Sequence, residues 1–595
     1  MKIIKSLLII CLIPALNVQA QDGFTEEIGI NELKQHIGYL ASDELEGRKP
    51  GTEGIEKAAE YIAEQLDLLD VTPLGDDYFQ TFEIIKDLKA GENNTLKFGD
   101  FEGTPGVDYT PAPISSSGEL EAEVVFAGYG FTIDEDDLKW NDYAGIDVEG
   151  KWVMILRGAP SADGHSDPYQ DYSSLRKKVL TARDNNAGGV IFVSGKEFDE
   201  SDGLMELSYN SGETSAGLPI VHVKREAADK MLAGKNTTIE ALEKELGTGK
   251  KARSFNLGIT ADIETEIVKI TEETKNVIAL LEGNDPDLKN EYVLIGAHYD
   301  HLGYGGPGSG SRKPDTSAVH NGADDNASGT TAAIEIFERL AAHRKELKRS
   351  VIFMAFSAEE MGLIGSKYFT NNPPVELNKI KFMINLDMVG RLDPVEKDLT
   401  IGGVGTAAGL EDMVKTYADF TDLNIKTSKE GYGPSDHAAF YAKDIPVMFV
   451  FTGIHEDYHT PSDDPNTINY EGEKQVADFV YNIAFDLINL PEALAYQEAG
   501  PKQAMSSGRR FKVTLGIMPD VAGGNGDGVT ADAVIEGRPA YYAGMQKGDR
   551  IIALDGKEVK DIYDYMNRLS GFKPGQRINV DVMRGEKKVI LIVDL

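Results

Sequence analysis

Three unbroken apolar runs, YVLIGA at 292–297, VIFMAF at 351–356 and FMIN at 382–385, each stop within a few residues of histidine, aspartate or glutamate. Continuous runs rich in branched side chains are what strands buried on both faces require, so they predict a parallel sheet covered by helices. In open sheets of that kind the carboxyl ends of the strands form the crevice where ligands bind. His298, Glu359, Glu360 and Asp387 fall just after such runs and should gather at that edge. The segments HYDH (298–301), GADDNASG (322–329), SAEEMG (357–362), NLDMVG (385–390) and YHTPSD (458–463) offer ligands for two hard cations and a spare carboxylate. Metal-assisted hydrolysis needs that combination.

Two zinc ions about 3.5–4 Å apart need one bridging carboxylate and roughly two further protein ligands each. Asp325 is the expected bridge, with His298 and Asp387 on one metal and Glu360 and His459 on the other. Neighbouring side chains diverge, so Glu359 and Glu360 do not easily both ligate, and Glu359 is left as the general base for an attacking water. Asp300, two residues past His298, is the expected acceptor for the second imidazole N–H. His301, His320, His343 and His455 read as surface or loop histidines, with His301 a competitor to His298.

These five segments resemble the M28 family of dinuclear zinc peptidases, the aminopeptidase and glutamate-carboxypeptidase-like group. The resemblance selects Asp325 over Asp324 as the bridge, implies a cis peptide bond from Asp325 to Asn326, and assigns Tyr458 to the oxyanion of the tetrahedral intermediate, for which a phenol is a suitable donor. It implies hydrolysis of peptides with two zinc ions per chain; carboxylate-rich sites also accept manganese or cobalt. PSDHAAF resembles a family segment near the active site, with an Asp436 helix cap as the alternative reading. An aminopeptidase is the leading expectation. A carboxypeptidase of the glutamate-carboxypeptidase type would need an arginine cluster near the pocket, and Arg391 is the nearby arginine that the sequence offers. A binding or receptor protein with a vestigial metal site is the rival from another class, and the intact Glu359 speaks against it.

Residues 1–20, with Lys2, Lys5, LLIICLIPAL and a Val18-Gln19-Ala20 ending, read as a secretory signal peptide too short for a stable span. Its removal takes away the only cysteine, Cys11, and moves the formal net charge from −38 to −40. The expected location is periplasmic or extracellular, without disulfides and with zinc on histidine and carboxylate. Such acidity disfavours nucleic acid and anionic membranes, and no later stretch has about 18 consecutive apolar residues to span a bilayer.

The expected fold is a three-layer α/β/α catalytic core split over 24–99 and 266–495. LEGRKPGTEG resembles the opening of bacterial members of the same family, and an amphipathic helix capped near Thr52 should follow, with Ile55, Ala58, Ala59, Ile62 and Leu66 at helical spacing. Residues 100–265 form a β-rich insert whose AGYGF, NDYAGIDVEGKWVMILRG and ARDNNAGGVIFV resemble a protease-associated (PA) domain, either stabilising the fold or acting as a lid that limits substrate size. A Pro-, Gly- and Ser-bearing linker at 496–508 leads to 509–595, which resembles a PDZ domain. There TLGI (Thr514, Leu515, Gly516, Ile517) matches the carboxylate-binding loop, where C-terminal peptide tails would add as a strand.

Overall fold

The computed structural model describes residues 27–135, 138–160, 168–169, 172–209, 215–249, 251–306, 308–500, 502, 513–519, 527–534, 538–560 and 562–595. The expected signal peptide therefore lies outside the described residues, as does most of the linker. Among the described residues a nine-stranded sheet forms the largest unit. Its centre is parallel: Ser350–Phe356, Tyr292–His298, Ile380–Leu386 and Val447–Phe451 lie side by side. Antiparallel strands flank them, Ile267–Leu281 beside Ser350–Phe356 and Asp398–Gly402 beside Val447–Phe451.

Both faces of this sheet are covered, as the unbroken apolar runs require. Val293 and Ile295 pack with the helices Ile30–Leu40, Glu53–Leu68, Gly329–Ala342 and Tyr470–Asn489, whereas Leu294 between them packs with Ile364–Asn371 and His437–Tyr441. Alternate side chains of a strand point to opposite faces, so one apolar run feeds two cores. Full burial of such a side chain contributes about 1.5–3 kcal/mol.

The helix Glu53–Leu68 buries Ile55, Ala58, Ala59, Ile62 and Leu66 at the spacing read from the sequence. Thr52 precedes it without capping it by its side chain; its hydroxyl donates instead to the carbonyl of Lys49. Asp436 likewise precedes His437–Tyr441 without a side-chain cap. Asp436 already has helical backbone angles, and its carboxylate oxygens are buried without a hydrogen-bond partner among the described residues.

The chain leaves the first unit after Phe79–Ala90 and builds an eight-stranded sheet between Thr95 and Thr265. It is less purely β than the sequence implies. Gly118–Ala127, Trp152–Leu156, Gly189–Val193 and Ile220–Val223 are mutually parallel, and the helices Leu175–Asp184, Arg225–Leu232 and Ile239–Gly249 cover the two faces. WVMIL and GVIFV are apolar throughout and must be sheltered on each side. The segment VVFAGYGF stops being a strand at Ala127, because Gly128 and Gly130 take positive φ. Ser254–Thr265 then leads almost directly into Ile267–Leu281, tying the second unit to the edge of the first sheet.

The third unit has its own core, including Leu515, Ala531, Ile551, Val580 and Val593. It is held against the second by buried charges. Asp564 on the helix Ile562–Ser570 is fully buried between Arg176, at 3.2 Å, and Arg183, both on the helix Leu175–Asp184. Arg568 pairs with Asp184, and Arg183 also donates to the carbonyls of Ala216 and Glu558.

Two outcomes follow from this packing. Removing one partner of a buried ion pair costs about 3–5 kcal/mol; Asp564→Ala should therefore speed hydrogen exchange across 175–184 and 562–570, and unchanged exchange would remove the ion pairs as the joint. In the first unit Glu335 is pushed up to about 8 by burial and by Glu32 and Glu338, with Gly29 N–H and Lys474 opposing. Folded protein then binds the extra proton between pH about 4.5 and 8, so stability falls as pH rises through that window. Glu335→Gln should match the wild type in melting temperature near pH 4.5 and exceed it at pH 8; a pH-independent difference would contradict the assignment.

Candidate metal centre

The expected ligands converge where the parallel strands end. His298 closes its strand, Asp387 follows Ile380–Leu386 directly, and Glu359 and Glu360 lie just past Phe356. Asp325 sits in the turn before the helix Gly329–Ala342, with a cis peptide bond to Asn326, and His459 lies in the loop after Val447–Phe451.

Asp325 is the hinge of the geometry. Its Oδ1 is 3.3 Å from His298 Nε2, and its Oδ2 is 3.0 Å from His459 Nε2. His298 Nε2 is also 3.5 Å from Asp387 Oδ1, and His459 Nε2 is 3.2 Å from Glu360 Oε2. Two sets of donor atoms, His298/Asp325/Asp387 and His301/Asp325/Glu360, each lie within 4.8 Å of one another and share Asp325. The donors are imidazole nitrogen and carboxylate oxygen, the chemistry that zinc accepts without thiolates. Tyr458 is stacked on His459 at 3.9 Å between ring centroids.

The charges fit a cation-binding purpose. Burial would lower His298, yet Glu359, Asp387, Asp300 and Asp325 outweigh it and hold the imidazole well above its usual range. His459 is opposed by burial in the same way and is raised by Asp325 and Glu360 to about 10. Glu359 is pushed well above the carboxylate range by burial and by Glu360, Asp436 and Asp387, against the pull of His298. Burial would raise Asp325, yet His298, His459 and His301 hold it well below its ordinary value. Protons and metal ions compete for such a cluster.

Asp300 is fully buried at the centre of this arrangement. Its carboxylate accepts the backbone N–H groups of Glu359, at 3.0 Å, and Glu360, at 3.3 Å. The nearest acceptor to His298 Nδ1 is the main-chain carbonyl of Asp300 at 3.2 Å, with Oδ1 at 3.7 Å.

The remaining histidines depart from their reading as surface groups. His301 and His320 are buried, and His343 and His455 are half-buried. His301 Nδ1 lies 2.8 Å from Glu360 Oε1 and 3.9 Å from Asp325 Oδ2, on the second metal set and away from His298's role. His455 Nε2 lies 3.2 Å from Asp324 Oδ2. His320 bonds Ser311 and the carbonyl of Ala318, and His343 bonds the carbonyl of Arg339. Loops fold His301, His320 and His455 inward and His343 closes the helix Gly329–Ala342, and no periodicity marks that. His437 is buried against Phe449 at 4.4 Å and is kept neutral by burial, its pKa falling to about 3.

Asp463, which the motif reading passed over, accepts from the backbone N–H groups of Asp324 and Asp325 at 3.0–3.1 Å. It ties the loop bearing His459 to the turn bearing Asp325. Arg391 is spent on Asp457 at 3.1 Å, and Arg312 donates its backbone N–H to the carbonyl of His459. In the third unit Gly516 takes a positive φ and its N–H is bonded to the Thr514 hydroxyl at 3.0 Å, while the Leu515 carbonyl accepts from Ala540. A cavity of about 650 Å³ lies at the opposite end of the strands, lined by Ile380, Lys381, Pro446, Tyr496 and Lys547 among others, and shares no residue with the cluster.

Residues 276–484 match the model of peptidase family M28, 120–231 that of the PA domain and 513–595 that of the PDZ domain. A probable leucine aminopeptidase 2 of Aspergillus oryzae is 25% identical over 442 residues, covering 68% of this chain and 75% of its own. Aminopeptidase YwaD of Bacillus subtilis is 25% identical over 385 residues, covering 63% and 69%. A solved aminopeptidase from Aneurinibacillus sp. strain AM-1 is 23% identical, covers 80% of this chain and 97% of its own, and has a TM-score of 0.44.

Partners that orient metal ligands are worth about 10–100-fold in metal affinity. His301→Ala should therefore weaken zinc binding by about that factor in competition with a chelating dye; unaltered affinity would leave His301 a packing residue.

Proposed function

We propose that this chain, which carries a peptidase family M28 domain, a PA domain and a PDZ domain, is a dinuclear zinc aminopeptidase that releases N-terminal residues from peptides. The single observation that carries the dinuclear reading is the division of Asp325 between His298 and His459. His298, Asp387 and Asp325 would hold one zinc, and Glu360, His459 and Asp325 the other. Bound there, zinc supplies Lewis-acid polarisation of a scissile carbonyl and acidifies water.

The protein groups have separable tasks. Glu359, half-buried just past Phe356, takes the proton of the attacking water and returns it to the leaving amine. Tyr458, whose phenol burial and the surrounding carboxylates keep protonated, donates its Oη–H to the oxygen of the tetrahedral intermediate. Asp300 holds the backbone of Glu359 and Glu360 by their N–H groups, which fixes base and ligand relative to each other.

The aminopeptidase reading is supported by relatives named as aminopeptidases that align with two thirds or more of their own length. The carboxypeptidase reading loses support because Arg391 is engaged by Asp457. Export is part of the proposal and is supported by the apolar segment within residues 1–20; no helix among the described residues is long and apolar enough to cross a membrane. The PDZ loop Thr514–Leu515–Gly516–Ile517 is proposed to receive C-terminal peptide tails.

General acid–base catalysis contributes about 10²–10⁴-fold. Glu359→Gln should lose at least that much in kcat while retaining zinc by elemental analysis; near-normal turnover would end the assignment. Mass spectrometry of a mixed peptide pool should show shortening from free N-termini only, and shortening from the other end would establish the carboxypeptidase instead.

A further inference from the structure

Arg48, in the LEGR segment that precedes the first long helix, is fully buried and adopts a left-handed backbone with φ 47°. Its guanidinium makes four hydrogen bonds, all to main-chain carbonyls. Nε donates to Tyr299 at 2.7 Å, Nη1 to Leu40 and to Asn321 at 2.6 Å, and Nη2 to Gly322 at 2.9 Å. Tyr299 lies between His298 and Asp300, and Gly322 opens the turn that presents Asp325.

The neighbouring backbone joins the same contact. His301 N–H donates to the carbonyl of Arg48, and Gly303 N–H to that of Gly47. Gly47 itself takes φ 71° and lies so close to the carbonyls of His320 and Gly303 that no Cβ fits. Asn321, whose carbonyl Arg48 holds, bonds the carboxylates of Asp43 and Asp464 at 2.9 Å through its side chain. The charge of Arg48 also faces the site: burial lowers it to about 10, while Asp300, Asp325, Asp463 and Glu360 act to raise it. It stays protonated at neutral pH.

We propose that Arg48 is a positioning residue for the metal centre, fixing the spacing between the strand end that carries His298 and the turn that carries Asp325 and supplying buried positive charge beneath their carboxylates. A planar five-donor fork meets four carbonyls in fixed directions, which an ammonium group does not reproduce. The inference rests on the cluster being a zinc site.

The test compares the full-length wild type with Arg48→Lys and Arg48→Gln. Zinc affinity is read by chelator competition, folding by circular dichroism, and kcat and KM on an aminoacyl p-nitroanilide. R48Q is expected to lose about tenfold or more in zinc affinity and in kcat, with KM within about twofold, and R48K to recover part of the zinc affinity because it keeps the charge. A merely structural arginine would lower the melting temperature without changing zinc affinity in the folded fraction. Folded variants with wild-type zinc affinity and kcat would overturn the inference while leaving the zinc reading intact; a wild type that binds no zinc would overturn both. Should neither variant fold, hydrogen exchange of the wild type decides: removing zinc should deprotect 43–49 together with 298–303, and unchanged protection of 43–49 would overturn the proposal.

Discussion

The two oxygens of Asp325 point to different histidines, and much of the surrounding structure serves to keep them there. Asp463 grips the backbone of the turn from the loop that also carries His459, and Arg48 holds its start from the N-terminal segment. Asp324, next to it, is fully buried and accepts from Gly390 N–H at 2.7 Å, which ties the turn to the segment after Asp387. Three other parts of the chain, far apart in sequence, thus hold the turn that carries Asp325. An uncompensated cluster of buried carboxylates is costly, so Asp300 and Asp463 accept backbone N–H groups while Asp325 and Glu360 face imidazoles. That demand for positive charge makes the site a competitor for metal ions.

In the proposed reaction the division of Asp325 between His298 and His459 would bring two metal positions to one substrate. Glu359 is then free to act on protons, since Glu360 turns toward His301 and His459. Asp300 enforces the separation by binding both successive N–H groups. Adjacent residues acquire different chemistry because the backbone at that point is held from below.

The PA and PDZ domains are attached in different ways. The PA domain joins the first sheet through continuous strands, Ser254–Thr265 into Ile267–Leu281, and so cannot move far from its edge. The PDZ domain follows a stretch without regular periodicity and is fixed instead by side chains, with Asp564 buried between two arginines of the PA domain. The helix that makes this contact, Ile562–Ser570, belongs to the same small domain as the Thr514–Ile517 loop. A ligand at the loop and the joint to the PA domain therefore act on one packed unit.

The amino-acid sequence determined the strands and the edge at which chemistry gathers, because apolar runs and the residues that end them are local facts. The gathering of His298, Glu359, Glu360 and Asp387 was legible on those grounds and Asp325 and His459 were candidate ligands by residue type, whereas the choice of Asp325 over Asp324 and the role of Tyr458 came through the resemblance of their motifs. What local pattern could not carry was the inward folding of the turns. His301 and His320 read as loop histidines and are buried, Thr52 and Asp436 read as caps and are not, and Arg48 read as part of an opening motif and is a buried clamp. Tertiary structure decided the burial of the histidines and of Arg48, since it depends on contacts between segments far apart in the chain, such as Arg48 with Tyr299 and Gly322 more than 250 residues away, which no window of sequence contains.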